Sequence, residues 1–196
     1  FVKKIQILEK NSLRFPEMIE KEIINISKRI LKNENSLLFT GSITREMDLK
    51  KNKYNYYNSI LVIDKKGKIL DKYNKIRLVP FGEYFPLRNL LPFLKTIVGD
   101  TDFSHGINNK IFKIENLGYI KPMICYESIF PLKNINEFSP DFILNITNDY
   151  WFGKSTGPEQ HLFLTRNRAI ENGIPLIRAA NNGISVVFDS YGRVIK

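Results

Sequence analysis

The chain holds a single cysteine, Cys125, in the string Met-Ile-Cys-Tyr-Glu, where the apolar run 119–125 ends. Upstream of it, Lys75 opens the string Lys-Ile-Arg-Leu-Val-Pro-Phe-Gly-Glu-Tyr. A thiol of ordinary pKa, about 8.5, is only a few per cent ionised near neutrality. Making it a nucleophile takes a cation to favour the thiolate, a base to manage the proton and donors for the developing oxyanion. Lys75 can supply the cation, and Glu83 or Glu127 the carboxylate. Cysteine-based acyl transfer is the chemistry these residue types predict. Each residue also fits a plainer role. A lone strand cysteine often serves as a small buried hydrophobe, a lysine as a solvated charge, and a glutamate after glycine as a turn residue.

Composition narrows the classes. With one cysteine there is no internal disulfide, and with only two histidines, His105 and His161, set far apart, no thiolate or imidazole metal cage is expected. No nucleotide or flavin motif is present, so no cofactor is expected. The net charge of +10 invites a polyanion partner. The basic residues are scattered, however, without zinc-finger spacing, an RNP-like string or a basic heptad helix, so nucleic acid is not the expected partner. An anionic membrane surface, or simply basic solvated faces, accounts for the charge. No apolar run reaches the roughly 18–20 residues that span a bilayer.

At 196 residues and 43% hydrophobic, the chain is long enough for one core, and no repeat or linker divides it. The expectation is one domain over residues 1–196. Residues 16–31 carry a helical stripe, with a proline near the first turn. Residues 37–40 read as a short strand ended by Gly41. Two segments, 59–73 and 184–196, each place β-rich flanks around an Asp-x-x-Gly turn and predict hairpins. Further strands are expected at 118–125, 141–146 and 176–179. A helix is expected over 158–172, stopped by Gly173 and Pro175. Helices separated by strands in this order predict an α/β layered domain. Residues 88–98 are apolar with basic punctuation and read either as an arm dipping into a bilayer interface or as a core helix interrupted by Pro92.

Longer strings add a resemblance. Tyr-Asn-Lys at 73–75, Leu-Val-Pro-Phe-Gly-Glu-Tyr at 78–84 and Ile-Cys-Tyr-Glu at 124–127 resemble the nitrilase, or carbon–nitrogen hydrolase, superfamily. Asn-Ile-Thr-Asn-Asp-Tyr-Trp-Phe-Gly at 145–153, Gly-Pro-Glu-Gln-His at 157–161 and Arg-Ala-Ala-Asn-Asn-Gly at 178–183 narrow it to the apolipoprotein N-acyltransferase branch. The resemblance runs from about Leu37 to the end of the chain. It implies a nitrilase-like four-layer α-β-β-α sandwich, here incomplete, missing its first strand and C-terminal elements.

The resemblance also implies roles. Cys125 matches the nucleophile, Lys75 the lysine that stabilises thiolate and oxyanion, and Glu83 a further acidic residue of the site. Tyr126 and Glu127 match substrate-binding positions important for acyl transfer. The implied reaction moves an acyl chain from a phospholipid donor onto Cys125 as a thioester, then to the N-terminal amine of an apolipoprotein's diacylglyceryl-cysteine. The implied location is the periplasmic face of the bacterial inner membrane. The family's general-base glutamate follows a Trp-Pro-Glu-like string that this chain lacks. Either that base would precede Phe1 and is absent, or Glu9 serves. Little transferase activity is therefore expected of these residues alone. A soluble amidase or nitrilase, or an inactive remnant kept as a binding module, are the alternatives.

Overall fold

Runs such as Ser-Ile-Leu-Val-Ile at 59–63 and Phe-Ile-Leu-Asn-Ile at 142–146 are apolar at nearly every position, the pattern of strands covered on both faces. The computed structural model, which describes residues 24–33, 35–50, 52–86, 102–107, 109–132 and 139–196, places them so. A first sheet has the order β1 (Leu38–Asp48), β2 (Lys53–Ile63), β3 (Ile69–Asn74), all antiparallel. A second sheet runs β4 (Phe112–Ile114), β5 (Gly118–Ile124), β6 (Phe142–Asn148), β7 (Leu176–Asn181), β8 (Val186–Phe188). Its β5, β6 and β7 are parallel, and β4 and β8 pair antiparallel at the edges.

The alternation of side chains builds the layers. Ile60, Val62 and Tyr73 of the first sheet pack on Phe112, Ile120, Ile124, Leu144 and Ile146 of the second. The intervening residues Leu61 and Ile63 point the other way, against Ile26 and Ile30 of helix α1 (residues 24–30) and Leu31 just past it. On the far side, Met123, Ile143 and Leu176 meet Ala169 and Leu162 of helix α2 (Gly157–Asn172). This is the four-layer α-β-β-α sandwich expected from the sequence, and β6–α2–β7 is its parallel crossover.

Both Asp-x-x-Gly turns form as expected and share a design. Asp64 Oδ1 accepts from the amides of Lys66 and Lys68, and Asp189 Oδ1 accepts from those of Tyr191 and Arg193. Gly67 and Gly192 supply the positive φ, 84° and 74°. Gly41 does not end a strand. It sits within β1 opposite Ile60, and the chain continues extended to Asp48. The paired strand β2 begins at Lys53, so the hairpin arm is much longer than residues 37–40 and 59–64 suggest. A glycine whose φ is ordinary and whose Cβ position meets only Ile146 in normal contact is no barrier to pairing.

Helix α2 spans the expected segment and ends at Gly173. Its buried face is not the apolar stripe of an ordinary surface helix but His161, Thr165, Arg168 and Ala169. Phe163 and Ile170 face outward instead. Residues 1–23, among them Glu9 and most of the expected 16–31 helix, lie outside the described residues, as do residues 87–101 with the apolar 88–98 segment.

Candidate active site

Parallel strands β5, β6 and β7 end side by side, and the turns at the carboxyl ends of β5 and β6 carry Cys125 and Asp149, where open α/β sheets usually place their sites. Cys125 follows the last residue of β5 and opens a 3-10 turn, Cys125–Ile129. Its φ is +47°, a left-handed conformation in a residue with a side chain. Such a backbone persists only where its surroundings enforce it. Here they do. Ile124 N donates to Glu127 Oε2 at 2.7 Å, and Ser128 Oγ donates to the Cys125 carbonyl at 3.0 Å. Cys125 is half-buried against the core between the sheets.

Lys75 arrives from the other sheet, one residue past β3. Its amide donates to the Asn58 carbonyl, and its side chain is 1% exposed. Nζ forms an ion pair with Glu83 Oε2 at 2.7 Å. The same oxygen accepts the Val79 amide at 2.8 Å, and Oε1 accepts Asn58 Nδ2 at 2.8 Å. The Leu-Val-Pro-Phe-Gly-Glu string thus curls back so that its glutamate holds the lysine eight residues earlier. Residues 102–107 strap the loop from outside. Phe103 N donates to the Glu83 carbonyl, Gly106 N to that of Lys75, and the His105 ring bonds the Ile76 carbonyl.

Glu127 fastens the two halves together. Its Oε1 accepts the Tyr73 phenol at 2.8 Å and the amides of Ile76 and Arg77 at 2.8 and 3.1 Å, while Oε2 takes Ile124 N. One buried carboxylate, 6% exposed, therefore binds the residues around Lys75 to the residue before Cys125. This differs from the substrate-contacting position expected for Glu127, because all four of its bonds go to protein donors. Tyr126 remains half-buried, edge-on to Phe130, whose face lies under the Arg77 guanidinium at 4.2 Å.

Beneath the thiol lies a second polar cluster. Asp149, just past β6, pairs with His161 Nδ1 at 2.9 Å and Arg178 Nη2 at 2.6 Å. Burial by itself would raise the Asp149 carboxyl. The hydrogen bond from His161 and the Arg178 charge outweigh it and hold the carboxyl below its ordinary value. His161 ties neighbouring loops together, with Nε2 3.0 Å from Ser128 Oγ and 3.2 Å from the Cys125 carbonyl. The Asn148 side chain caps the Tyr150 amide, and Trp151 stands 80% exposed on the adjoining turn. The missed members are Ser128, Asn145, Thr165 and Arg178. Asn145 and Arg178 open two of the strings that carry the resemblance, and the polar spacing 161, 165, 168 along a buried helix was the signal for Thr165. Among the described residues no group of His, Cys, Asp and Glu could hold a metal ion.

The profile of the carbon–nitrogen hydrolase family matches residues 9–196. The chain belongs to the carbon–nitrogen hydrolase family. Within this family it is 44% identical over 182 residues to an apolipoprotein N-acyltransferase of Rickettsia typhi, covering 91% of this chain and 35% of that one. A second, from Rhodopseudomonas palustris, is 46% identical over 143 residues, 71% of this chain and 27% of the relative. The chain thus spans about a third of the length of the curated relatives it matches. Among solved structures, a carbon–nitrogen hydrolase superfamily protein of Xanthomonas campestris superposes with a TM-score of 0.64 at 19% identity, over 97% of this chain and 71% of that one. The glutamine-dependent NAD+ synthetase of Acinetobacter baumannii gives 0.63 at 15% identity, over 92% and 31%. These likenesses establish the fold. Among the described residues no helix is long and apolar enough to cross a membrane.

Proposed function

We propose that this chain carries the acyl-transfer site of an apolipoprotein N-acyltransferase, with Cys125 as nucleophile and a phospholipid as acyl donor. The observation that carries the reading is the joint made by Glu127. It locks the Lys75 segment, with its buried Lys75–Glu83 pair, to the strained turn presenting the only thiol. The 44% identity to the Rickettsia typhi enzyme selects the acyltransferase branch over an amidase.

In the proposed reaction the Cys125 thiolate attacks the ester carbonyl of the phospholipid. The tetrahedral oxyanion collapses with cleavage of the C–O bond, and the lysophospholipid leaves as its alcohol after taking up a proton. The thioester is then attacked by the free amine of the lipoprotein's diacylglyceryl-cysteine. The C–S bond breaks, an amide forms, the amine loses a proton and the thiolate returns. Lys75, fixed by Glu83, offers its charge to the thiolate and to each oxyanion. Glu83 keeps that cation in place, and Glu127 acts as a positioning residue for both segments. The exposed aromatic turn at Tyr150 and Trp151, the exposed Phe81 and the net positive charge suit a site working against an anionic lipid surface. By this reading the work is done at the periplasmic face of the inner membrane.

The test is incubation of the full chain with phosphatidylethanolamine vesicles, followed by intact mass before and after hydroxylamine. A hydroxylamine-labile acyl adduct that maps to Cys125 and is lost in Cys125→Ala supports the transferase. Turnover of simple amides without any lipid adduct would replace this reading with a hydrolase.

A further inference from the structure

Arg178 is among the largest fully buried side chains of the molecule, and it sits beneath a nucleophile rather than at a surface. Nη2 binds Asp149 Oδ2, while Nη1 binds Asn145 Oδ1 at 2.6 Å and Thr165 Oγ1 at 3.1 Å. Asp149 passes the contact to His161 Nδ1, and His161 Nε2 and Ser128 Oγ both reach the Cys125 carbonyl. Thr165 Oγ1 closes the ring by bonding Ser128 Oγ at 2.8 Å. Asp149, His161 and Ser128 have the spacing of a nucleophile–base–carboxylate relay. Ser128 is 0% exposed, however, and its hydroxyl meets only protein, so this relay cannot reach a substrate. Its open end is the carbonyl of Cys125, whose own backbone is left-handed.

Four elements contribute to the cluster: the end of β6, helix α2, strand β7 and the turn after β5. Placing a guanidinium, an imidazole and a carboxylate in the interior is costly unless each is paired. Here each is paired, and the polar face of α2 exists to do it. The cluster also adds charge. The buried Arg178 guanidinium is held by Asp149, whose partner His161 bonds the Cys125 carbonyl, so a fixed cation belongs to the same network as residue 125.

We propose that Arg178, acting with Asp149 and His161, is a positioning residue for Cys125: it holds the carbonyl and left-handed backbone of residue 125 and thereby sets the reactivity of the thiol. This rests on Cys125 being the nucleophile of the proposed acyl transfer. The titratable and charged groups around residue 125 come from each neighbouring element: Arg178 from β7, Asp149 from the end of β6, His161 from α2, Glu127 from the turn itself and Lys75 from the other sheet.

The experiment measures the rate of Cys125 alkylation by iodoacetamide in the full chain between pH 6 and 10, with thermal melting in parallel. Arg178→Lys and Asp149→Asn each loosen the hold on the residue 125 carbonyl and are expected to lower the alkylation rate near neutrality about tenfold. Leu31→Ala, which opens a cavity under the first sheet far from the cluster, is expected to lower the melting temperature without changing that rate. Folded Arg178→Lys and Asp149→Asn proteins with the wild-type profile would overturn the proposal. If neither folds, Ser128→Ala decides, since it removes only the hydroxyl between His161 and the Cys125 carbonyl. A rate about threefold lower near neutrality sustains the proposal, and an unchanged rate overturns it. Alkylation needs no lipid, so a lowered rate without an acyl adduct defeats the acyltransferase reading alone. An acyl adduct with unchanged rates defeats this inference alone.

Discussion

The Tyr73 phenol donates to the Glu127 carboxylate at 2.8 Å in the interior, joining the strand that leads to Lys75 with the turn that starts at Cys125. Burial, followed by the charge and hydrogen bond of Glu127, pushes the phenol upward, so Tyr73 remains a donor throughout the working range of pH. Tyr73→Phe removes one donor and leaves the carboxylate its three backbone amides. The expected cost is about 1–2 kcal/mol in urea unfolding. Glu127→Gln is expected to cost more, about 3 kcal/mol or more, because a carboxamide turns a donor toward either Ile124 N or the Ile76 and Arg77 amides. Equal costs for the two variants would show that Glu127 is not the joint described.

The Lys75–Glu83 pair makes a prediction about order. With Lys75 only 1% exposed, Glu83→Gln leaves a buried ammonium without its counter-charge. The expected loss is about 3–5 kcal/mol. Lys75→Met is expected to be milder, since Glu83 is more exposed and keeps the Val79 amide and the Asn58 side chain. Both are expected to lower acyl-thioester formation by about a hundredfold or more, through loss or displacement of the cation. Paired denaturation curves and intact-mass time courses check both statements. A Glu83→Gln protein more stable than Lys75→Met would remove Glu83 from its role.

Much of this architecture is legible in the sequence for local reasons. The Asp-x-x-Gly turns announce themselves because the aspartate oxygen and the glycine φ are intrinsic to four residues. The doubly covered strands read as continuous apolar runs, and Gly173 with Pro175 marks the end of α2. The length of the β1–β2 arm was hidden, since residues 42–48 and 53–58 carry Thr, Arg, Glu, Asn and Lys, and their pairing is what makes them strands. Cys125, Lys75 and Glu83 stand out by residue type. The inward turn of Glu127 and the cluster around Arg178 do not, because each satisfies a partner 29 to 54 residues away in the chain. A polar side chain bound for the interior carries no local mark of it.

Lys121 predicts a pH dependence. It is buried on β5, donates to Asn109 Oδ1 and lies 5.7 Å from the centre of the Tyr73 ring. Burial lowers its pKa to about 8, with Glu127 opposing the shift. The folded state thus releases this proton at a lower pH than the unfolded chain, whose lysine titrates near 10.4. Stability attributable to Lys121 is therefore lowest below pH 8 and rises between about pH 8 and 10.4, by about 2–3 kcal/mol. The check is the difference in unfolding free energy between wild type and Lys121→Met at pH 7, 8, 9 and 10. The wild-type protein should gain on the variant across that interval. A difference that stays constant would mean that the lysine is solvated in the folded state.

Gly106 tests whether the strap over residues 75–83 matters to the site. A Cβ there would lie 2.1 Å from the Asn74 carbonyl oxygen, backbone to which no rotamer change gives way. Gly106 N also donates to the Lys75 carbonyl at 2.7 Å, and three residues earlier Phe103 N holds the Glu83 carbonyl. Gly106→Ala must lift the strap, at an expected cost of about 1–3 kcal/mol. With it lifted, the amides of Phe103 and Gly106 lose their acceptors together, and the Lys75–Glu83 pair is opened to water. Faster hydrogen exchange at both amides, accompanied by slower acyl-thioester formation, is the expected outcome. Loss of stability with acylation at the wild-type rate would instead confine residues 102–107 to a packing role and leave the cation's placement to Glu83 and Asn58.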